Sequence, residues 1–202
     1  MHLQALDLTC IRGGRTVFAG LSLKAAAGKG VVLTGPNGAG KSSLLRVLAG
    51  FIPPAAGRLE LDGGASELLL GEQCHFVGHL NGVKRALSVA ENLDFWAAYF
   101  GGGDVGRALE TFALEALADI PAGLLSAGQA RRLALARLML GPRPVWLLDE
   151  PTVSLDAAAL KLLSGVINAH LKGGGILVAA THAPLGVTPV RELRLGGGKA
   201  AQ

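Results

Sequence analysis

Val31-Val32-Leu33-Thr34-Gly35-Pro36-Asn37-Gly38-Ala39-Gly40-Lys41-Ser42 is the stretch on which the fold turns. An apolar run ending at Thr34 feeds a loop of the form G-x-x-x-x-G-K-[ST], and Leu44, Leu45 and Leu48 follow at helical spacing. Strand, glycine loop and helix in that order are the context this motif requires. The residue types follow from phosphate chemistry. Glycines let the backbone curl so that successive N–H groups point at phosphate oxygens, and a helix N-terminus adds partial positive charge. Lys41 offers a point charge to the β and γ phosphates, and Ser42 a hydroxyl to Mg²⁺. Gly35, Pro36, Asn37, Gly38, Ala39, Gly40, Lys41, Ser42 and the adjoining Ser43 are the candidate nucleotide-binding residues.

A phosphate loop alone says only that some nucleotide is held, so the rest of the chemistry must come from elsewhere. Val145-Trp146-Leu147-Leu148-Asp149-Glu150 is an apolar strand that delivers two carboxylates at its C-terminal end, where α/β sheets bind ligands. Asp149 is expected to hold Mg²⁺, through water, and Glu150 to orient and polarise an attacking water. Losing such a base typically slows a reaction by about 10²–10⁴-fold while binding survives. Pro151 follows at once, and Asp156 suits the N-cap of a helix.

Composition bounds the alternatives. With 202 residues the chain is long enough for one domain burying roughly 70% of its unfolded surface. Half the residues are apolar and 30 are glycine, which describes a packed chain with many tight turns. Aromatics make up only 4%, so Leu, Val and Ala must build the core. The stretch from Gly173 to Val190 lacks Asp, Glu, Lys and Arg, but Gly173-Gly174-Gly175, His182, Pro184 and Pro189 break it, so no membrane span is expected there. Asp7 and Arg12 interrupt the start of the chain, which argues against a secretory leader. Cys10 and Cys74 lack any Cys-x-x-Cys partner and read as two buried thiols of a reducing compartment. No Cys-x-x-Cys-His occurs, so the chain is not itself a covalent haem acceptor. The net charge of +4 reads as a modest surplus of Arg and Lys, several of them used on phosphates.

Along the chain, Leu3 to Leu8 and Leu21 to Lys24 read as strands flanking a Gly13-Gly14 turn, and Leu59 to Asp62 as another strand. Between roughly Val83 and Leu124 the pattern turns helical, with Ala90 to Phe100 and Val105 to Ala118 separated by Gly101-Gly102-Gly103. Helix and strand then alternate: Ser126 to Leu140, Val145 to Leu148, Asp156 to Lys172, and Ile176 to Ala180. In the third of these, Leu160, Leu163, Ile167 and Leu171 form one apolar stripe, with Gly173 placed to close the helix. Short apolar strands alternating with helices predict a mostly parallel sheet covered on both faces, with a helical insertion.

Leu125-Ser126-Ala127-Gly128-Gln129, lying between the phosphate loop and the acidic strand, completes a pattern that resembles the ATP-binding cassette ATPases over essentially the whole chain. Gly35 to Ser42 is similar to their Walker A motif, Leu125 to Gln129 to the signature, and Val145 to Glu150 to the Walker B motif. Ser154-Leu155-Asp156 resembles the D-loop, and His182, after Thr181, the switch histidine that senses the γ-phosphate. The resemblance implies an α/β fold: a P-loop NTPase core with a mostly parallel sheet, an N-terminal antiparallel β subdomain and an inserted α-helical subdomain. It implies a single domain over residues 1–202, with the helical part at about 83–140. It also implies that two copies pair head to tail around two ATP, each with Mg²⁺. Ser126, Gly128 and Gln129 of one copy then reach the triphosphate held by the other, and Asp156 lies at the seam.

Two positions depart from the family pattern. His79, in Phe76-Val77-Gly78-His79, stands where a Gln is usual. An imidazole still contacts a water, and because it titrates near neutrality where an amide does not, turnover is expected to be more sensitive to pH; an exposed loop residue is the other reading. Arg12 stands near the place of an aromatic that stacks on adenine, and a guanidinium plane also stacks on a base.

Phe76-Val77-Gly78-His79, Gly82-Val83-Lys84, Leu87 to Leu93 and Thr181-His182-Ala183-Pro184-Leu185 resemble one branch, the haem-exporter ATP-binding subunits of cytochrome c maturation (CcmA). That likeness implies a peripheral subunit on the cytoplasmic face of the bacterial inner membrane, partnered with integral membrane subunits, coupling ATP hydrolysis to haem handling or to release of a haem chaperone. The ATPase subunit of another small-substrate transporter shares every catalytic motif. A soluble cassette acting on nucleic acid commonly has two cassettes or long coiled-coil arms, and this sequence has neither. Phe95, Trp96, Tyr99 and Phe100 gather scarce aromatic mass, either as a small helical core or as a groove for a helix of a membrane partner.

Overall fold

Alternation builds the first sheet, and one irregularity rescues it. In the computed structural model, which describes residues 1–188 and 190–196, β1 (His2–Arg12) buries Leu3 and Ala5 and then Leu8 and Cys10, so the inward set switches from odd to even positions. A register shift between Ala5 and Leu8 makes the switch, with Asp7 at φ 51° and its N–H donating to Ser22 Oγ at 3.0 Å. Without such a bulge, half the strand would present its apolar residues to water. β1 pairs antiparallel with β2 (Arg15–Ala26) on one side and β4 (Ala56–Asp62) on the other.

The second sheet has the order β5-β6-β7-β3-β8, from β3 (Gly30–Thr34), β5 (Cys74–Val77), β6 (Val145–Asp149), β7 (Ile176–Ala180) and β8 (Val190–Arg194). β3 runs parallel to β7 and β8, and β6 parallel to β7. All five residues of β6 and of β7 are buried, as strands covered on both faces require. The core around them joins Val31, Leu33, Leu147 and Val178 to Leu44, Leu45 and Leu48 of α1 (Lys41–Leu48). Cys10 and Cys74 are free and buried, and burial pushes the Cys74 thiol up to about 12 against the opposing Arg143 charge.

Contacts divide the described chain into two units: Met1–Phe76 with Arg143–Glu150 and the residues from Ile167 onward, and Val77–Pro142 with Pro151–Val166. The second holds α2 (Val89–Phe100), α3 (Val105–Thr111) and α4 (Ala127–Ala136). Ser88 caps α2 through a reciprocal pair with Glu91, and Gly101, at φ 85°, closes it. Buried Asn92 fixes the preceding loop, donating to the carbonyls of Lys84, Leu87 and Ser88 and accepting from the Lys84 N–H.

Three helices differ from their sequence-based outlines. α3 stops at Thr111, short of Ala118, because Phe112 and Leu114 are both buried and cannot share one helix face; Ala113 at φ 50° turns the chain between them. Arg132 then donates to the Phe112 and Ala113 carbonyls. α4 ends at Ala136 and tightens into a 3₁₀ turn over Arg137–Met139. On α5 (Ala157–Lys172) the buried stripe is Ala159, Leu163, Ile167 and Leu171, with Leu160 half-buried, and Gly174 at φ 86° takes the left-handed closing position in place of Gly173. Among the described residues, no helix is long and apolar enough to cross a membrane.

His170 of α5 stacks on Trp146 of β6, with ring centroids 3.8 Å apart and planes 8° from parallel. A Cβ on Gly175 would run into that imidazole, so glycine is required there. Burial lowers the His170 pKa from its ordinary 6.5, with the Ile176 and Pro144 carbonyls pulling the other way. The unfolded chain therefore takes up a proton that the folded chain resists. This contribution is complete above pH 6.5 and is lost as the pH falls below it toward the lowered folded value. Thermal melts of His170→Phe, which keeps a ring on Trp146, should lose less stability below pH 6.5 than the unmodified protein; identical pH dependence would remove His170 from the account.

Candidate functional site

Sheet register brings the site together. Ala180 at the end of β7 pairs with Leu33 on one side and Asp149 on the other, so three strand ends lie in one row. The next residues carry the chemistry. Beyond Leu33 and Thr34 comes the glycine loop, beyond Asp149 comes Glu150, and beyond Ala180 come Thr181 and His182. The Glu150 N–H donates to the Ala180 carbonyl at 2.7 Å, which extends the ladder by one bond.

The loop is curled by Gly35, Gly38 and Gly40, at φ 127°, 82° and 98°. Gly40 is the N-cap of α1 and makes no side-chain cap bond, as an anion-binding helix start requires. Close approach also dictates glycine: a Cβ on Gly35 would run into the Leu195 carbonyl, and one on Gly40 would lie 2.9 Å from Val17 Cγ1. Lys41 is 8% exposed, and its Nζ donates to the Gly35 and Pro36 carbonyls at 2.7 and 3.1 Å. The ammonium is thus held over the loop by weak neutral acceptors that phosphate oxygens outcompete. Ser42 Oγ donates to Asp149 Oδ1 at 3.0 Å, so the hydroxyl and the buried carboxylate converge on one point. Two hard oxygens so placed suit Mg²⁺. Pro36, Asn37, Gly38, Ala39 and Ser43 lie in the loop and first turn as the motif places them.

Glu150 adopts φ 48°, a left-handed conformation costly for a non-glycine residue. Its Oε1 lies 3.5 Å from Nε2 of the more exposed His182. Thr181 Oγ1 accepts from the Ala183 N–H at 3.1 Å, a turn that fixes the loop carrying His182. A carboxylate and an imidazole paired beside a phosphate loop can orient water and read the outermost phosphate.

Arg12 stands exposed at the β1–β2 turn, while the side chains of that sheet that reach the glycine loop at Gly40 are those of Val17 and Phe18. Phe18 is an aromatic beside the loop that the sequence analysis did not single out.

Within the second unit, Ser126 caps α4: its Oγ accepts from the Gln129 N–H at 3.3 Å and its N–H donates to Gln129 Oε1 at 2.8 Å. Gly128 packs on the backbone of Ser154, where a Cβ would lie 2.8 Å from the carbonyl oxygen. Asp156 Oδ1 accepts from the Ala159 N–H at 2.7 Å, and His79 is exposed in the loop after β5. Gly128→Ala should push the Ser154 carbonyl aside. Overpacking of this kind costs about 1–3 kcal/mol; calorimetry should find a loss of that order together with slowed ATP turnover, and unchanged values of both would show the contact to be slack.

A family model described as ABC transporter matches residues 18–153. The chain is 52% identical to the "Cytochrome c biogenesis ATP-binding export protein CcmA" of Bradyrhizobium diazoefficiens over 98% of this chain and 99% of that protein. It is 53% identical to the protein of the same name in Rhodopseudomonas palustris, with 98% and 99% covered. Among solved structures, a putative ABC transporter ATP-binding protein from Pyrococcus furiosus superposes with a TM-score of 0.81 at 24% identity, covering 96% of this chain and 98% of its own. An ATP-binding cassette solved as a dimer in a post-hydrolysis state, bound to ADP and Pi, gives 0.77 at 22% identity, with 90% and 88% covered. At those identities the two structures speak for the fold.

Proposed function

We propose a function for this chain from the family to which it belongs: it is an ABC transporter ATP-binding protein, of the cytochrome c biogenesis ATP-binding export branch. It binds ATP and is an ATPase of the ABC type. The observation that carries the residue assignment is the 3.5 Å approach of Glu150 to His182 beside the Ser42–Asp149 bond.

Gly35 to Ser43 hold the triphosphate, with Lys41 moving from the loop carbonyls to the β and γ phosphates. Ser42 and Asp149 hold Mg²⁺, which, when bound, neutralises charge on the phosphates. Glu150 orients and polarises the water that displaces ADP from the γ-phosphorus, and His182 contacts the γ-phosphate. Arg12 lies toward the base and His79 toward the water. The chain works as one ATP-binding domain over residues 1–202 with its helical part at about 83–140. It acts as a homodimer in which Ser126, Gly128, Gln129 and Asp156 complete the partner's nucleotide site. It sits peripherally on the cytoplasmic face of the inner membrane against integral subunits of cytochrome c maturation, and hydrolysis there drives haem handling or release of a haem chaperone.

Glu150→Gln tests the core of this reading. Turnover should fall about 10²–10⁴-fold with ATP binding retained, and the ATP-bound dimer should accumulate in solution scattering; wild-type turnover would overturn it. Purification from membranes should recover integral subunits together with haem, and a complex free of haem would overturn the substrate assignment. His79→Ala should slow ATP turnover with ATP binding retained, and an unchanged rate would remove His79 from the water's contacts.

A further inference from the structure

Arg131 is a buried cation to which the hydrolysis chemistry assigns no task. It lies on α4, the helix that Ser126 opens, and is 3% exposed. Its Nε donates to the Pro151 carbonyl at 3.3 Å. Its Nη1 donates to the Gly78 carbonyl at 2.9 Å and to Asn81 Oδ1 at 3.0 Å. These acceptors lie 20, 53 and 50 residues away in sequence, so one guanidinium joins its own helix to two separate segments. Gly78 and Asn81 flank His79 in its loop, and Pro151 is joined to Glu150 by a peptide bond.

Filling space does not require an arginine here. An ion taken out of water is costly, and well-packed apolar side chains of similar volume often serve stability as well or better. What Arg supplies is a planar fork of five donors that holds several acceptors in fixed directions, which Lys lacks. The arrangement also tolerates a second buried cation nearby. Arg137 lies over the Trp96 ring at 4.6 Å, and burial, then the Arg131 charge, lowers its pKa to about 10. Two like charges kept in one helical unit point to a requirement other than stability.

We propose that Arg131 is a positioning residue that ties the signature helix, the His79 loop and the Pro151 backbone into one moving part. Engagement of Ser126–Gln129 by the nucleotide of the facing copy then reaches His79 through Gly78 and Asn81, and reaches Glu150 along the chain through Pro151. The inference deepens the hydrolysis reading and rests on it.

Full-length Arg131→Lys and Asn81→Ala are to be compared with Glu150→Gln in ATPase assays and thermal melts. Misplacing a catalytic group by about 1 Å can cost about 10²-fold. Arg131→Lys should therefore lose kcat to roughly that extent with KM for ATP and Tm nearly unchanged, a split that a merely structural residue does not give. Asn81→Ala removes one acceptor from a half-buried position and should lose less, and the double variant should be no slower than Arg131→Lys alone. Three outcomes overturn the proposal: unchanged kcat in Arg131→Lys, parallel loss of kcat, ATP binding and Tm, or additive losses in the double variant. An inactive Glu150→Gln beside a fully active Arg131→Lys sinks this inference alone, whereas a fully active Glu150→Gln sinks the hydrolysis reading beneath it.

Discussion

The hydrogen bond from Ser42, in the first turn of the helix that follows β3, to Asp149 at the end of β6 bridges the ends of two strands that are not neighbours, and the site depends on what makes that possible. β7 lies between β3 and β6, and its Ala180 is in register with Leu33 on one flank and Asp149 on the other. Parallel strands in register must end on the same edge, so the loop after β3 and the carboxylate ending β6 have to meet above β7. The third strand end supplies Thr181 and His182 to the same edge, opposite Glu150. Register thus sets the geometry before any polar contact is made. A slip of one residue in β7 would turn Ala180 to the other face and carry His182 away from Glu150.

This edge was legible in the sequence because its signals are local and redundant. The phosphate loop carries its own strand and helix, the acidic pair sits at the end of a continuous apolar run, and His182 follows another. Fully buried strands show no alternation, yet runs of four and five apolar residues identified β6 and β7. What escaped was decided by contacts distant in sequence. The bulge at Asp7 reads as an ordinary polar position; only pairing with β2 and β4 reveals that the inward face changes parity there. The early end of α3 likewise follows from burial of both Phe112 and Leu114, while the local pattern through Ala118 favours helix.

Glycines divide in the same way. Those of the phosphate loop are required for a turn whose purpose the motif announces. Gly128 belongs to the signature, but its lack of a side chain is also enforced within the chain by the Ser154 carbonyl. A motif residue can thus carry two constraints, the one its motif announces and one set by its own backbone. The sequence displays only the first.

The segment between Glu150 and Ser154 is where the constraints meet. Both residues are left-handed, at φ 48° and 65°, and neither is glycine. Such conformations cost about 1–3 kcal/mol each and persist only where the surroundings over-determine them. At the first end the Ala180 carbonyl holds the Glu150 N–H; at the second the Ser154 carbonyl is packed on Gly128; between them Arg131 holds the Pro151 carbonyl. A relaxed, extended continuation of β6 would carry Glu150 along the strand direction, away from His182. Bending the chain at Glu150 instead aims the carboxylate at the imidazole, and the Ala180 carbonyl holds the N–H of the bent residue. The two left-handed residues are thus held separately, Glu150 by its neighbour on β7 and Ser154 by the helix that Ser126 opens.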